Sequence, residues 1–201
     1  MTEDENARHS RKMAKKAAAR ERIMAAKTEE RGLTIVHTGK GKGKTTAAMG
    51  MVVRCIGHGF PVRVAQFVKG RRDTAERAVL DRFPDLVETV ALGEGFTWET
   101  QDREKDTEMA RAVWDRARQW LADPEVRMVL LDEINIVLKY GYLEADEVLD
   151  ALAARPADQH AVLTGRNALD PVLEAADLVT EMAQVKHPFR AGVKAQPGVE
   201  F

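Results

Sequence analysis

The segment GKGKGKTT, from Gly39 to Thr46, is the most informative part of this 201-residue chain. It lies between LTIVHT (33–38), a β-branched run that predicts a strand, and TTAAMGMVVRCIGH (45–58), an apolar run that predicts a helix. Glycine permits a tight turn that aims backbone N–H groups inward, and the helix N-terminus adds its dipole at the same point. The pattern therefore predicts a phosphate-binding loop rather than a surface turn that is merely rich in Gly and Lys.

The side chains of this loop match the chemistry of a magnesium nucleotide. Lys40, Lys42 and Lys44 supply up to three positive charges for a polyphosphate, and the Thr45 hydroxyl can bind Mg²⁺. The usual P-loop spacing puts the first glycine at position 38, where this chain has Thr38, so the first glycine comes one residue late. We expect the following loop residues to bind the nucleotide: Gly39, Lys40, Gly41, Lys42, Gly43, Lys44, Thr45 and Thr46.

Strand-like runs alternate with helix-length segments on the C-terminal side of the loop. Further strands are predicted at 62–68, 86–92, 127–133, 160–165 and 177–182, and helices at 74–83, 104–122, 145–152 and 168–176. This alternation predicts an α/β fold, with a mainly parallel sheet of about six strands and helices on both faces. Ligands of such sheets bind at the carboxyl ends of the strands.

Polar residues gather at that predicted edge. The run RMVLLDE (127–133) ends in Asp132, which can orient Mg²⁺ or its water, and Glu133, which can bind the metal or act as a base. If the strand continues through both acids, they point to opposite sides and only one reaches the metal directly. We expect a metal site at Thr45, Asp132 and Glu133, and further nucleotide contacts from Arg54, Thr164 and Arg166.

Composition limits the class of protein. The chain is 44% hydrophobic and 31% charged, which suffices for a buried core. It has neither a run of about 18 apolar residues nor an apolar core of a signal sequence in its first thirty residues. Cys55 is the only cysteine, which excludes an internal disulfide and a four-cysteine zinc site. We therefore expect a cytoplasmic protein with no membrane partner.

Charge is distributed unevenly. Residues 8–27 hold eight Lys or Arg and one Glu, whereas the rest of the chain carries 23 basic and 31 acidic side chains. High helix propensity and a thin apolar stripe predict a basic helical arm over residues 1–31, outside a domain of residues 32–201. Nothing in the arm resembles a nucleic-acid reading motif, so we expect no nucleic-acid partner. The arm is either a solvated charged run or a segment that docks on something else, such as a partner subunit.

Three further segments narrow the function: GEGFTWETQDRE (93–104), VLTGRNA (162–168) and VKHPFRAGVKAQPGVEF (185–201). In order with TGKGKGKTTAAMG (38–50) and LLDEI (130–134), they resemble the P-loop class of cob(I)alamin (corrinoid) adenosyltransferases of the bacterial cobalamin-synthesis type. The resemblance runs from about Gly32 to Phe201. The loop GxGKGKTT is that family's own form, which accounts for the late first glycine.

The resemblance implies a RecA-like fold, usually a homodimer, and a transferase. The implied reaction moves the 5′-deoxyadenosyl group of ATP to the Co(I) of a corrinoid and releases tripolyphosphate. Co(I) is already a strong nucleophile, so the enzyme must mainly align C5′ with cobalt and neutralise the leaving group. Lys44, Thr45 and Glu133 are the expected catalytic residues. ATP is the implied co-substrate, Mg²⁺ the implied metal and a flavoprotein an implied reductant.

Four residues are expected to contact the corrinoid: Phe96, Trp98, Lys186 and His187. Phe96 and Trp98 match the family's aromatic pair near the lower corrinoid face, where an apolar wedge would exclude the lower axial ligand and ease reduction of Co(II). His187 has a structural or capping role as its alternative. Family members also carry an N-terminal helix that can cover the active site, so residues 1–31 would form a lid. Two other classes stay open: a RecA-like ATPase or nucleic-acid-handling P-loop module, and a nucleotide-binding regulatory protein.

Overall fold

The computed structural model describes residues 3–67, 75–91 and 103–199, and the chain divides into two compact units, residues 1–31 and 32–201. The first unit contains one helix, α1 (Glu3–Ala25). Its Ala-, Lys- and Arg-rich sequence favours a helix, and residues 6–25 are all exposed. Within the described ranges, no helix combines the length and the apolar character that crossing a bilayer would require.

The second unit alternates strands with helices. Its strands are β1 (Thr34–Thr38), β2 (Val62–Gln66), β3 (Val87–Ala91), β4 (Met128–Asp132), β5 (His160–Thr164) and β6 (Leu178–Glu181). Its helices are α2 (Lys44–Gly57), α3 (Ala75–Leu80), α4 (Arg103–Leu121), α5 (Ile134–Lys139), α6 (Ala145–Ala154) and α7 (Asp170–Glu174). A short 3₁₀ helix, Pro188–Ala191, follows in the C-terminal tail.

All neighbouring strands of the sheet run parallel, in the order β3-β2-β4-β5-β1-β6. Such an order requires crossover connections, which the intervening helices supply. The predicted α/β fold with a parallel six-stranded sheet is confirmed, and it is consistent with a RecA-like P-loop fold. Because every strand points the same way, the ends of β1, β4 and β5 lie at one edge of the sheet.

Two apolar layers hold helices against the sheet. Alternate strand residues face opposite sides, so Val36 and Leu131 join the core that packs against α4, α5, α6 and α7. Ile35 and Leu130 face the other core, which packs against α2 and the Leu80 end of α3. The helices on both faces of the sheet were expected. On the second face, α2 begins just beyond the end of β1.

The main departure from the predicted elements occurs after β4. The predicted strand 127–133 ends one residue early, because Glu133 adopts a left-handed backbone conformation with φ 63° and is the residue that precedes α5. Helix α5 was not predicted, because its short apolar sequence INIVLK resembles a continued strand. The alternation expected for Asp132 and Glu133 therefore does not apply, since the strand does not continue through both residues.

Candidate functional site

Glycines let the loop between β1 and α2 lie against the end of β6. Gly39 and Gly43 have φ 95° and 101°, a region that favours glycine. The Gly41 N–H donates to the Met182 carbonyl oxygen at 2.6 Å. A Cβ atom on Gly39 or Gly41 would stand 2.6 Å from that same oxygen, far inside contact distance. The late first glycine is thus required by backbone conformation and by close approach to Met182.

Lys44 lies at the centre of this loop. Its ammonium donates to the carbonyl oxygens of Gly39 at 2.9 Å and Gly41 at 2.6 Å, and the residue is buried. Burial lowers the pKa of Lys44, and the charge of Arg166 acts in the same direction, while Glu133 opposes both. Lys44 is therefore held inside the loop, close enough to Glu133 and Arg166 for their charges to influence its pKa.

Asp132 joins the loop helix to two strands. Its Oδ1 accepts hydrogen bonds from the Thr45 hydroxyl at 2.9 Å and the Thr164 hydroxyl at 2.7 Å, and its Oδ2 accepts from Gln66 Nε2 at 3.4 Å. Burial raises the pKa of Asp132, whereas these three donors stabilise the carboxylate and lower it. Thr164 thus contacts Asp132, and its expected contact with the nucleotide stays a prediction. Gln66 was missed because the predicted strand 62–68 continued past it, whereas β2 ends at Gln66.

Glu133 is fixed at the same edge by its backbone. Its N–H donates to the Thr164 hydroxyl oxygen at 2.8 Å. Burial, and then the charge of Asp132, raises the pKa of the Glu133 carboxyl group, while Lys44 and Arg166 lower it. Its Oε2 is buried and accepts no hydrogen bond from any described residue. Among the described residues, Glu133 Oε2 is therefore a buried carboxylate oxygen that no donor satisfies.

The oxygen atoms at this edge suit Mg²⁺. The Thr45 hydroxyl and the Asp132 carboxylate are hard donors already held together by a hydrogen bond. Among the residues that the structure describes, no three His, Cys, Asp or Glu side chains gather as a metal site. Mg²⁺ commonly takes only one or two carboxylates and completes its shell with phosphate oxygens and water. The donor set thus fits a metal that arrives with a nucleotide.

A cavity of about 560 Å³ lies beside the loop, and we call it the basic cavity. Its lining consists of Lys40, Lys139, Arg166, Asn167, Gln184 and Arg190. Four of these side chains are cationic and the other two are amides that can donate hydrogen bonds. Lys40 and Arg166 were predicted as nucleotide contacts. The other four were not, although Asn167 and Arg190 lie in segments that carry the family resemblance. A cavity so lined can bind a polyanion.

Arg54 is not brought to the loop. It lies in the last turn of α2 and lines a separate cavity of about 270 Å³. That cavity is also lined by Leu33, Met128 and His160, at the starts of β1, β4 and β5, whereas the loop follows the end of β1. The structure therefore gives no support to the expected contact between Arg54 and the nucleotide. Cys55 lines the same cavity and is buried.

The predicted corrinoid contacts are the least described part of the site. Phe96 and Trp98 lie outside the described residues. In the tail, Lys186 is exposed, and His187 precedes the 3₁₀ helix, where its Nδ1 accepts a hydrogen bond from the Phe189 N–H at 3.2 Å. His187 thus has the capping role that was its alternative. On the loop helix, Thr46 is exposed and belongs to the first turn.

Comparison with known proteins gives one consistent result. The sequence model of the family described as ATP:corrinoid adenosyltransferase BtuR/CobO/CobP matches residues 30–201. A corrinoid adenosyltransferase of Sinorhizobium sp. is 56% identical over 99% of this chain and 94% of its own length. One from Pseudomonas aeruginosa is 54% identical over 98% of each chain. The corrinoid adenosyltransferase CobA of Salmonella typhimurium is 49% identical over 89% of this chain and 90% of its own.

These matches extend over nearly the whole chain and include every segment on which the sequence resemblance depended. The loop, the acidic end of β4 and the tail all fall inside the matched residues. The chain belongs to the ATP:corrinoid adenosyltransferase family.

Proposed function

We propose that this chain transfers the 5′-deoxyadenosyl group from MgATP to the Co(I) of a corrinoid, with the P-loop and the basic cavity holding the triphosphate. The observation that carries the proposal is the convergence of the loop, the Asp132 carboxylate and four cations at one edge of the sheet. Such an edge binds a magnesium polyphosphate, and membership in the family supplies the group that is transferred.

The electron balance explains which chemical groups the site needs. Co(I) donates an electron pair to C5′ of the ribose, and a carbon–cobalt bond forms. The C5′–O5′ bond breaks, its pair stays on the oxygen of the departing tripolyphosphate, and cobalt becomes formally Co(III). No proton moves, so no general base is needed. The chain contributes alignment of C5′ and neutralisation of the leaving group, to which Lys44 and Arg166 are suited.

Mg²⁺ would be held by Thr45 and Asp132, with Glu133 beside them. When bound, the metal would neutralise part of the charge on the phosphates. Thr164 and Gln66 keep the Asp132 carboxylate oriented, because each donates a hydrogen bond to it. The same hydrogen bonds lower the pKa of Asp132, against the larger effect of burial, which raises it.

The corrinoid would lie beside the segment that holds Phe96 and Trp98, with Lys186 near its polar side chains. An apolar wedge at the lower face would keep the axial ligand away and make Co(II) easier to reduce. Replacing Trp98 by Ala should then reduce turnover from Co(II) far more than turnover from pre-reduced Co(I). Equal losses in the two assays would refute the wedge.

The localisation, the oligomeric state, the reductant and the role of the N-terminal arm are also part of the proposal. The chain works in the cytoplasm as a homodimer and receives electrons from a flavoprotein. We propose that residues 1–31 act as a lid, since the exposed basic side chains among residues 6–31 would favour an anionic substrate.

The reaction is tested by mixing the protein with MgATP and a chemically reduced corrinoid. We expect a light-sensitive adenosylcorrinoid spectrum that depends on Mg²⁺, and a loss of that product in Asp132→Asn. As a matched control, Asp85→Asn changes the net charge equally at an exposed position before β3. Release of orthophosphate without an adenosylcorrinoid, especially if DNA or RNA stimulates it, would instead favour the RecA-like ATPase. Nucleotide binding with neither product would favour a regulatory protein.

A further inference from the structure

We infer that Lys139, at the end of α5, and Arg190, in the 3₁₀ helix of the tail, bind the tripolyphosphate chain as it leaves. This inference rests on the proposed function and adds two residues to it that belong to no nucleotide-binding motif. Both line the basic cavity together with Lys40 and Arg166. Five separate segments of the chain contribute to this cavity, so it is formed by the fold rather than by one loop.

The positive charge of the basic cavity favours binding of an anion. Its lining contains four cations and no acid, and none of the four forms an ion pair with another described residue. Like charges around one cavity repel one another, and the repulsion is stronger near a protein surface than in bulk water. A polyanion removes this repulsion and gains several charge-assisted hydrogen bonds at once.

The lining also selects which part of the substrates enters. None of the lining side chains is purely apolar or aromatic, whereas adenine and the corrin macrocycle need apolar surface to bind. Phosphate oxygens, in contrast, match lysine ammonium, arginine guanidinium and the amides of Asn167 and Gln184. The basic cavity therefore accommodates the phosphate chain rather than the nucleoside or the corrinoid.

The positive charge of the basic cavity adjoins that of the P-loop. Lys40 belongs to the loop itself, and Arg166 lies near enough to Lys44 and Glu133 to influence the pKa of each. A chain that begins at Lys44 can therefore extend toward Arg166, and from there to Lys139 and Arg190.

Cations placed here stabilise the leaving group more than they stabilise ATP. Breaking the C5′–O5′ bond leaves one more negative charge on the phosphate chain than ATP carries. Groups that attract this additional charge lower the barrier, because they interact more strongly in the transition state than in the bound substrate. Lys139 and Arg190 should thus influence both product affinity and the rate of transfer.

The experiment measures binding of inorganic tripolyphosphate to the full chain by calorimetry, in the presence of Mg²⁺ and without corrinoid. We expect Lys139→Gln and Arg190→Gln each to weaken binding by about three- to tenfold, as loss of one charged contact at an exposed site would. Arg82→Gln is the matched control, because it removes the same charge from an exposed position after α3. Its affinity should stay within about twofold of the wild type.

Steady-state kinetics of adenosyl transfer supply a second readout, which would not change if Lys139 and Arg190 had only a structural role. In both variants we expect inhibition by tripolyphosphate to weaken and kcat to fall, while KM for the corrinoid stays unchanged. Wild-type affinity for tripolyphosphate in both variants would overturn the inference, whether or not the enzyme is active. If the wild-type chain binds tripolyphosphate but makes no adenosylcorrinoid, the proposed function fails, and the binding measurement still decides the role of the two cations.

Discussion

Replacing Thr164 by Val tests how the acidic edge is held in place. The Thr164 side chain is fully buried. Its hydroxyl donates to Asp132 Oδ1 at 2.7 Å and accepts from the Glu133 N–H at 2.8 Å. Valine has nearly the same shape, so the substitution removes both hydrogen bonds without opening a cavity. Its effects therefore report on the hydroxyl alone.

The size of the effect follows from these two contacts. A hydrogen bond to a charged group contributes about 1.5–3 kcal/mol, and an unpaired buried N–H costs about 1–3 kcal/mol. The two terms overlap because they share one hydroxyl. We expect the free energy of unfolding to fall by about 2–4 kcal/mol, which for a chain of this size lowers Tm by about 5–15 °C.

Urea unfolding followed by circular dichroism measures this change, with Thr164→Ser as the matched control. Serine keeps the hydroxyl and loses one methyl group, so it should cost only about 1 kcal/mol. We also expect the Val variant to need more Mg²⁺ for half-maximal activity, since Asp132 loses a donor that orients it. The Ser variant should need nearly the wild-type concentration.

A different pattern would show that Thr164 does not hold the acidic edge in place. If the Val variant is as stable as the Ser variant but has a raised KM for ATP, Thr164 contacts the nucleotide directly and does not hold Asp132. Equal stability of all three proteins, with unchanged dependence on Mg²⁺, would show that neither hydrogen bond matters in solution.

Three further predictions concern the loop, a salt bridge and the N-terminal arm. Gly41→Ala should abolish ATP binding, measured by calorimetry, because its Cβ would meet backbone atoms at 2.6–2.8 Å. Gly50→Ala is the control: its Cβ would have no neighbour within 4 Å, so it should raise the free energy of unfolding by about 0.5–1 kcal/mol. Arg111 lowers the pKa of Glu147, so this carboxylate stabilises the folded state above its unfolded pKa, and that contribution is lost as pH falls through the folded pKa. After allowance for solvent screening, Glu147→Gln should cost about 0.5–1 kcal/mol at pH 7, and denaturation at low pH should show no difference from the wild type. Deleting residues 1–27 should weaken corrinoid binding at least severalfold in a spectroscopic titration, and unchanged affinity would argue against a lid.

Much of the fold could be predicted because its signals are local. Alternating apolar runs and helical stripes identified the six strands and most helices to within a few residues. The exception is α5, since INIVLK carries no helical stripe and follows a strand without a glycine or proline. Its start depends on the positive φ of Glu133, a conformation that is unusual for glutamate and that sequence patterns do not indicate.

In the candidate site too, residues with a local sequence signal could be predicted, whereas residues that only the fold brings together could not. The loop was predictable from its glycines and lysines between a strand and a helix, and Asp132 from its place at the end of a buried strand. Arg190 and Lys139 were not, since exposed cations are common in the sequence and only the fold places these two around one cavity. The expected nucleotide contact of Arg54 came from its position one helical face from the loop. Along the α2 axis, however, ten residues separate it from Lys44, about 15 Å of helix.

In the proposed reaction the phosphate chain leaves whole when the adenosyl group moves. Phosphorus NMR of the products, recorded beside the adenosylcorrinoid absorbance, tests it directly. We predict one equivalent of tripolyphosphate for each adenosylcorrinoid formed, with no orthophosphate above the level of a corrinoid-free control. Stoichiometric ADP and orthophosphate, with no carbon–cobalt product, would contradict the account.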